Sequence, residues 1–405
     1  MTATAPSNEV TATSDRSRNL DVLRAVAALM VLVTHAYPLG GRTVPLVADN
    51  LTDVLLAAGP SAVWLFFAIS GYVISRSFVQ GLVRGGPLPS VGGFAVRRAA
   101  RLYPLYWCAL AVTVVLVGTE KARPWELVAH VSLLHNLVPD RQQAILPPAW
   151  TLTLELVFYA AVAAGALALR RHRPVAPRHL AAGVMALWAL SVVWTAGADL
   201  LGATDGGLYL RLLFPSMLSM FCPGILLAIA EAAPASSRLQ GGLRWVDAHR
   251  PLVWVLAVAT CAIGAAGALV DPDDGTRRFL VLYDAARVPF ALGYGAVLVL
   301  ARRAPEWRSP VARRLAVVGD WSYGVYLLHA VWAFAIFVPN PGLVPLSLPG
   351  FVPFAVHVVW LLAVTLPSAW AAHVLIERPA MEAGRRWSRR LSDRRTPVLA
   401  PEPAA

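Results

Sequence analysis

Residues 19–41 read NLDVLRAVAALMVLVTHAYPLGG, an apolar run of membrane-spanning length that contains one arginine, Arg24, and one histidine, His35. At about 100° per residue, the eleven-residue spacing brings a helix back to within about 20° of the same face, about 16 Å further along. An ionisable side chain inside a span faces protein or a water-filled cavity and is a functional candidate. The structural alternative is a snorkelling Arg24 and an interfacial His35.

The rest of the chain shares this apolar character. Of its 405 residues, 57% are hydrophobic and only 14% are charged, which excludes an ordinary soluble domain. The sequence predicts an all-α polytopic membrane protein with about ten transmembrane helices and no appended soluble domain. The predicted spans lie near residues 20–39, 55–75, 103–118, 149–169, 179–200, 208–230, 251–270, 279–301, 316–338 and 351–376.

The basic residues divide the loops between these spans into two sets. Of 35 Lys and Arg, 26 lie in the tails and in the loops after even-numbered spans, six in the other loops and three inside spans. The positive-inside rule therefore predicts that both termini are cytoplasmic. The net charge of +12 follows from this topology and requires no nucleic-acid partner.

The two ends of the chain differ in composition from the apolar part. Residues 1–18 begin with a Thr-, Ala- and Ser-rich stretch, and residues 380–405 are first basic and then Pro-rich. We expect both to be cytoplasmic tails, disordered over the first 15 residues and from Arg385 onward, with residues 19–379 as one membrane domain. The three cysteines fall within predicted spans, and no pattern of metal ligands is present, so no metal is predicted.

Two segments at the start of the membrane domain carry polar candidates. Ser70 lies in FFAISGYVIS of span two, where small residues favour close helix packing over a catalytic serine. Arg98 and Arg101, in RRAARLYPLYW, are three residues apart and share a helix face. Guanidinium groups bind phosphate oxygens in pairs. The arginines therefore indicate either a phosphate site or a positive-inside anchor for span three.

Two later spans also contain polar groups. Glu155, in PPAWTLTLELVFYA, lies in the outer third of span four and needs a partner at that depth. It either serves a site or pairs with Arg211 or Arg287. In GDWSYGVYLLHAVW of span nine, three polar side chains share one helical face, as a site or as an interhelical hydrogen-bond ladder. These are Ser322, Tyr326 and His329.

Taken in order, these pieces resemble the integral-membrane acyltransferase family 3, bacterial O-acyltransferases that modify surface glycans and some antibiotics. The matching pieces run from about residue 19 to 379. They are LDVLRAVAALMVLVTH, FFAISGYVIS, RRAARLYPLYW, AWTLTLELVFY, SYGVYLLH and IERP. Thr151 stands where the family often has serine. Some members also carry an added extracellular domain with a Gly-Asp-Ser nucleophile, whereas Gly319-Asp320 of this chain is followed by Trp321.

The resemblance implies transfer of an acyl group, acetyl first among the candidates, from cytoplasmic acyl-CoA to a sugar hydroxyl. It implies that His35 is the catalytic histidine with Arg24 as its partner, that Arg98 and Arg101 bind the donor, and that Glu155 is the family's acidic residue. His35 would act as a general base or as a covalent acyl acceptor. Ser70 and the polar groups of span nine would support the substrates.

The implied setting is the inner membrane of a bacterial cell, with the lipid bilayer, acyl-CoA and a carbohydrate acceptor as partners. Two alternatives stay open at this stage. The acceptor is a macrolide-like natural product instead of a glycan, or the buried Arg, His and Glu form a proton-coupled transporter. Neither two similar halves nor an internal repeat is visible in the sequence, which weakens the transporter alternative.

Overall fold

The computed structural model describes residues 17–39, 59–117, 123–139, 145–201, 206–267, 287–337 and 352–393, and every regular element in these ranges is helical. The α-helices are α1 Arg18–Leu39, α2 Ala62–Arg84, α3 Val91–Val117, α4 Pro124–Val131, α5 Trp150–Leu169, α6 Pro177–Leu201, α7 Gly206–Leu212, α8 Phe214–Ala232, α9 Arg238–Ala248, α10 Arg250–Gly267, α11 Arg287–Arg303, α12 Pro310–Asp320, α13 Ser322–Ala330, α14 Val352–Ala372 and α15 Arg378–Asp393. Short π-helical segments, Val331–Phe337 and His373–Glu377, follow α13 and α14.

Seven helical segments among the described residues are long and apolar enough to cross a membrane, which confirms an all-α polytopic membrane protein. An eighth candidate is the pair α9 and α10, which meet at 94°. We treat α10 as the span and α9 as a helix outside it. Part of predicted span eight lies outside the described residues, and span nine is divided at Trp321 between α12 and α13. The count of ten stays a prediction.

The start of span three differs from the sequence prediction. The expected start was residue 103, with Pro104 in the first turn, but α3 begins at Val91 and contains Pro104 in its interior. Arg98 and Arg101 consequently lie within one long helix. The helix therefore carries both arginines from the basic segment into the bundle.

The centre of the bundle depends on close contact between α2 and α8. A Cβ atom on Gly71 would collide with the backbone carbonyl of Phe221, and one on Gly224 would collide with that of Ala68. Only glycine permits this approach of two helix backbones. The interpretation of the Ser70-Gly71 segment as a close-packing surface is therefore confirmed, and α2 is held firmly beside the polar residues described below.

The expectation of disorder from Arg385 onward is wrong for residues 385–393, which belong to α15. This helix packs on the start of α3 with small residues in the contact. A Cβ atom on Gly384 would press on Ala100, and the Ser388 hydroxyl accepts a hydrogen bond from Arg97. The arginine-rich composition suggested a solvated tail, but one face of this segment is small enough to pack.

Candidate active site

A cavity of about 110 Å³ lies between α1, α2, α3, α5 and α13. A cavity of this size holds several water molecules or a small acyl group. Seven of the nine side chains predicted from the sequence line it, although they come from five separate helices. These are Arg24, Ser70, Arg98, Arg101, Glu155, Ser322 and Tyr326.

The acidic group of the cavity is Glu155, which α5 presents one turn after its first residue. The Tyr159 hydroxyl, one turn further along, donates to Glu155 Oε1 over 2.5 Å, and the Ser70 hydroxyl donates to the same oxygen over 3.4 Å. No ion pair joins Glu155 to Arg211 or Arg287 in the described part of the chain. A carboxylate held by two hydroxyl donors is oriented but keeps its negative charge available to the cavity.

The two arginines of α3 occupy the same cavity. The Arg98 guanidinium lies over the rings of Phe94 and Tyr159, at 5.6 and 5.7 Å from their centroids. Its Nε atom is buried and has no hydrogen-bond partner among the described residues. Arg101 donates to the thioether of Met381 over 3.3 Å, which is a weak acceptor. Within the described ranges neither arginine forms an ion pair, so both retain capacity to bind an anion.

Glu155 lies nearer to these arginines than the sequence suggested. Glu155 lies in the first third of α5, which agrees with its predicted depth in span four, but it shares the cavity with both arginines of α3. In the structure Tyr159 contacts the Arg98 guanidinium with its ring and Glu155 with its hydroxyl. The cavity thus contains a guanidinium and a carboxyl group that contact the same tyrosine, one at its ring and the other at its hydroxyl.

The polar face of α13 reaches the cavity through Ser322 and Tyr326, both almost fully buried. Tyr326 donates to the carbonyl of Pro148 over 3.2 Å and lies 3.0 Å from the Thr151 hydroxyl. Its ring also packs edge-on against Phe66. Thr151 therefore supplies a hydroxyl at this position, and Tyr326 is held at its hydroxyl by two groups and at its ring by Phe66.

His35 and His329 do not line the cavity but contact one another in the next layer of the bundle. His329 Nε2 lies 3.3 Å from His35 Nδ1, and the ring centroids are 5.0 Å apart. The predicted partner of His35 was Arg24. Arg24 instead forms an ion pair with Asp21 over 2.7 Å. The eleven-residue spacing explains the difference, because it aligns the two side chains but leaves them about 16 Å apart.

Sequence reasoning missed Tyr323 and did not single out Tyr159 as a hydrogen-bond donor. Tyr323 lines the cavity and donates to the carbonyl of Leu102 over 2.6 Å. The signal for Tyr159 was its i+4 spacing from Glu155, which places both on one helix face. Tyr323 gave no comparable signal, because adjacent residues of a helix point to different faces and Ser322 was already placed on the polar face. Both residues line the cavity at the start of α13.

A second histidine pair lies outside the spans, in the segment that follows α3. His130 and His135 stack at 4.3 Å between centroids, and both are buried. Burial, with His130 alongside, lowers the pKa of His135 to about 3, and burial lowers the pKa of His130 as well. Among the described residues, no group of three or more His, Cys, Asp or Glu side chains is arranged to hold a metal ion.

The cavity and its basic helix agree with the comparisons to known proteins. Residues 17–374 match the family model described as "Acyltransferase domain", and the chain belongs to this family of membrane acyltransferases. The resemblance stated from the motifs is confirmed, and the match extends across nearly the whole membrane domain.

Individual relatives share either a short segment or a low identity with this chain. An O-acetyl transferase of Shigella phage Sf6 is 36% identical over 103 residues, covering 25% of this chain and 27% of that protein. Protein 2 in the picA locus of Rhizobium radiobacter is 41% identical over 93 residues, covering 23% of this chain and 41% of that protein. Nodulation protein 10 of Rhizobium leguminosarum bv. viciae is 25% identical over 347 residues, covering 80% and 84%. The chain thus matches less than half the length of the first two relatives. No solved structure matches it significantly.

Proposed function

We propose that this protein is a membrane O-acyltransferase that moves an acyl group, acetyl by preference, from cytoplasmic acyl-CoA to a hydroxyl of a cell-surface or exported glycan. One observation carries the proposal: the cavity combines two arginines that have no carboxylate partner in the described ranges with a tyrosine-held carboxylate. Membership of an acyltransferase family and a relative named O-acetyl transferase support the reaction type.

The donor is assigned to the α3 side of the cavity. Coenzyme A carries a pyrophosphate and a 3′-phosphate, and guanidinium groups bind such oxygens through paired, charge-assisted hydrogen bonds. The buried Arg98 Nε, with no partner among the described residues, would gain an acceptor from a phosphate. The cavity volume of about 110 Å³ suits a thin pantetheine end or an acyl group, so the nucleotide would stay at the cytoplasmic mouth.

The proton transfer is assigned to His35. Neutral His35, which lies behind the cavity lining, would remove the proton of an acceptor hydroxyl that reaches its ring as that oxygen attacks the thioester carbonyl, and would return the proton to the departing thiolate of CoA. In the covalent variant, a His35 nitrogen first takes the acyl group and releases CoA, and the hydroxyl then attacks the acyl-imidazole. Both routes yield one ester and one thiol. They differ only in the order of bond formation.

The remaining polar groups of the cavity would position the substrates. Tyr326 is the cavity side chain nearest to the histidines and would stabilise the negative charge that develops on the thioester oxygen, whereas Arg24 pairs with Asp21 further along α1. Glu155, held by Tyr159, would orient the acceptor hydroxyl or balance the charge of the donor arginines. Ser70 and Ser322 offer hydroxyls on either side of the cavity.

We assign the protein to the bacterial cell membrane as a multi-pass protein with both termini in the cytoplasm. The support is the distribution of Lys and Arg, 26 against six between the two sets of loops. This orientation puts the basic start of α3 on the side where acyl-CoA is made. An acceptor on the outer side would then receive an acyl group through the bundle.

The experiment uses the full chain in lipid nanodiscs, with acetyl-CoA as donor. We expect thiol release that is stimulated by a surface-glycan oligosaccharide, with an ester-linked acetyl group found on that glycan by mass spectrometry. Stimulation by a macrolide alone would move the acceptor to natural products. Proton-coupled uptake in liposomes, without thioester cleavage by any acceptor, would contradict the proposal and favour a transporter.

A further inference from the structure

The contact between His35 of α1 and His329 of α13 joins helices that are distant in the sequence. The two nitrogens are 3.3 Å apart, and the ring planes are inclined by 46°. The His329 side chain is fully buried, whereas His35 is half-buried. We call these two residues the histidine pair. Two imidazoles at this distance need complementary protonation, because each hydrogen bond requires one N–H and one lone pair.

The backbone settles which nitrogen carries each proton. His35 Nδ1 lies 2.9 Å from the carbonyl oxygen of Val31, and His329 Nδ1 lies 3.2 Å from that of Val325. A carbonyl oxygen only accepts, so both Nδ1 atoms are N–H donors. His329 Nε2 therefore has a free lone pair, and it faces the Nδ1–H of His35. The single Nδ1–H of His35 is thus shared between the carbonyl of Val31 at 2.9 Å and His329 Nε2 at 3.3 Å.

We infer that His329 is a positioning residue that holds His35 in the tautomer with its lone pair on Nε2, through the contact of His329 Nε2 with His35 Nδ1. This inference rests on the proposed function, because it assigns the base of that reaction to one atom. Val31 supplies an acceptor within α1, and His329 supplies a second one from another helix. Acceptors from two helices fix the plane of the ring as well as its tautomer.

The arrangement also suits the charged form of His35. During transfer, the proton of the acceptor hydroxyl moves to His35 Nε2, and the imidazolium keeps its Nδ1–H on Val31 and His329. His329 stays neutral, since its own proton remains on Nδ1. A hydrogen bond from a charged donor is stronger than one from a neutral donor, so the contact gains strength when the proton is taken up. The proton then leaves Nε2 for the thiolate of CoA.

The same helix connects the pair to the cavity. Tyr326 lines the cavity one turn before His329, and the two ring centroids are 5.9 Å apart. On the other side, Phe334 packs edge-on against His35 at 5.7 Å. α13 thus presents Ser322 and Tyr326 to the substrates and His329 to the base. The sequence left two interpretations open for this helix, a hydrogen-bond ladder or a site. In this inference the same side chains serve both.

The kinetic test compares two substitutions of His329. His329→Leu removes the acceptor at nearly the same volume, whereas the amide oxygen of His329→Gln can still accept from His35 Nδ1–H. We expect Leu to lower kcat roughly 10- to 100-fold, as losses of hydrogen-bonding partners behind a reacting group do, with an unchanged KM for acetyl-CoA. Gln should recover most of the rate. His179→Leu, which changes an exposed histidine, is the control and should match the wild type.

Two kinetic results would overturn the inference: full kcat in His329→Leu, or equal losses in Leu and Gln, which would indicate packing alone. A direct measurement covers the case in which His329→Leu does not fold. In ¹⁵N-histidine-labelled wild type, with the His35→Gln spectrum used for assignment, His35 should show a protonated Nδ1 and an unprotonated Nε2. The opposite tautomer would overturn the inference. A failure of the proposed function can be distinguished from these results, because acyl transfer would then persist in His35→Gln.

Discussion

A pair of arginines, Arg98 and Arg101, and a single arginine, Arg287, lie inside this bundle, and their surroundings differ. Arg98 and Arg101 line the cavity, lie against aromatic rings and a thioether, and have no carboxylate partner within the described ranges. Arg287 is buried at the other side of the bundle, where it donates to the hydroxyl of Thr195 and to the carbonyls of Ser216 and Arg211.

The difference lies in the oxygen acceptors that the protein offers to each guanidinium. A guanidinium has five N–H donors and no acceptor, so a buried one must find oxygens. Around Arg287 the protein provides them from three helices, and the side chain joins those helices. Arg98 and Arg101 instead line a cavity, and in the described part of the chain they donate no hydrogen bond to a protein oxygen. The acceptors of that pair would come from a bound molecule.

The largest effect expected from this comparison is the loss of folded protein in Arg287→Ala. Three buried acceptors would lose a donor, at about 1 kcal/mol or more each, so stability should fall by about 3 kcal/mol. The measurement is thermal unfolding in nanodiscs, together with thiol release per folded molecule, which should stay near the wild-type value. A normal unfolding temperature with lost activity would contradict the structural assignment of Arg287.

A smaller effect, on binding rather than folding, is expected for Arg98→Ala. Losing charge-assisted contacts to a phosphate costs about 1.5–3 kcal/mol, which corresponds to a rise in KM for acetyl-CoA of roughly 10- to 100-fold. Arg98→Lys should fall between the wild type and Ala, because it keeps the charge but not the planar fork. Arg314→Ala, at an exposed position of α12, is the matched control for lost charge. Equal KM values in Arg98→Ala and Arg314→Ala would count against a donor site at Arg98.

The smallest effect concerns a third setting, an arginine bound to a carboxylate outside the spans. Arg303 and Arg250 both donate to Asp247, and the hydrogen bond from Arg303 is the main cause that lowers the pKa of Asp247. Partly exposed pairs contribute about 0.2–1 kcal/mol, so Asp247→Asn should shift unfolding only slightly.

The pH dependence of this pair has a definite sign. The folded-state pKa of Asp247 is below its unfolded value of about 3.9, so the contribution is present above that value and is lost as pH falls through the folded pKa. The difference in unfolding temperature between wild type and Asp247→Asn should therefore shrink on acidification. A difference that grows at low pH would contradict this pairing.

Local spacing predicted much of the site. The i, i+3 spacing of Arg98 and Arg101 and the shared face of Ser322 and Tyr326 are properties of one helix each, so the sequence contains them. Asp21 was also readable as the partner of Arg24, since it stands three residues earlier, but the apolar run drew attention to His35 instead.

Contacts between helices could not be read in this way. The approach of His329 to His35 joins positions 294 residues apart, and no pattern within either helix encodes it. The break at Trp321 that turns Tyr323 into the cavity is likewise a tertiary feature. The helical α15 did have a local signal. Met381, Gly384 and Ser388 are spaced three and four apart and form its packed face.

We propose that His35 moves a proton during acyl transfer from acyl-CoA. The most direct test measures acylated acceptor per folded, membrane-inserted protein in wild type, His35→Ala and His35→Gln at matched expression. Gln keeps a hydrogen-bonding group but does not take up a proton near neutral pH, so it separates basicity from packing. A lost general base costs about 10²- to 10⁴-fold, and we predict a loss of at least that size in both variants. Near wild-type transfer by His35→Gln would contradict the account and would make His329 the next candidate for the base.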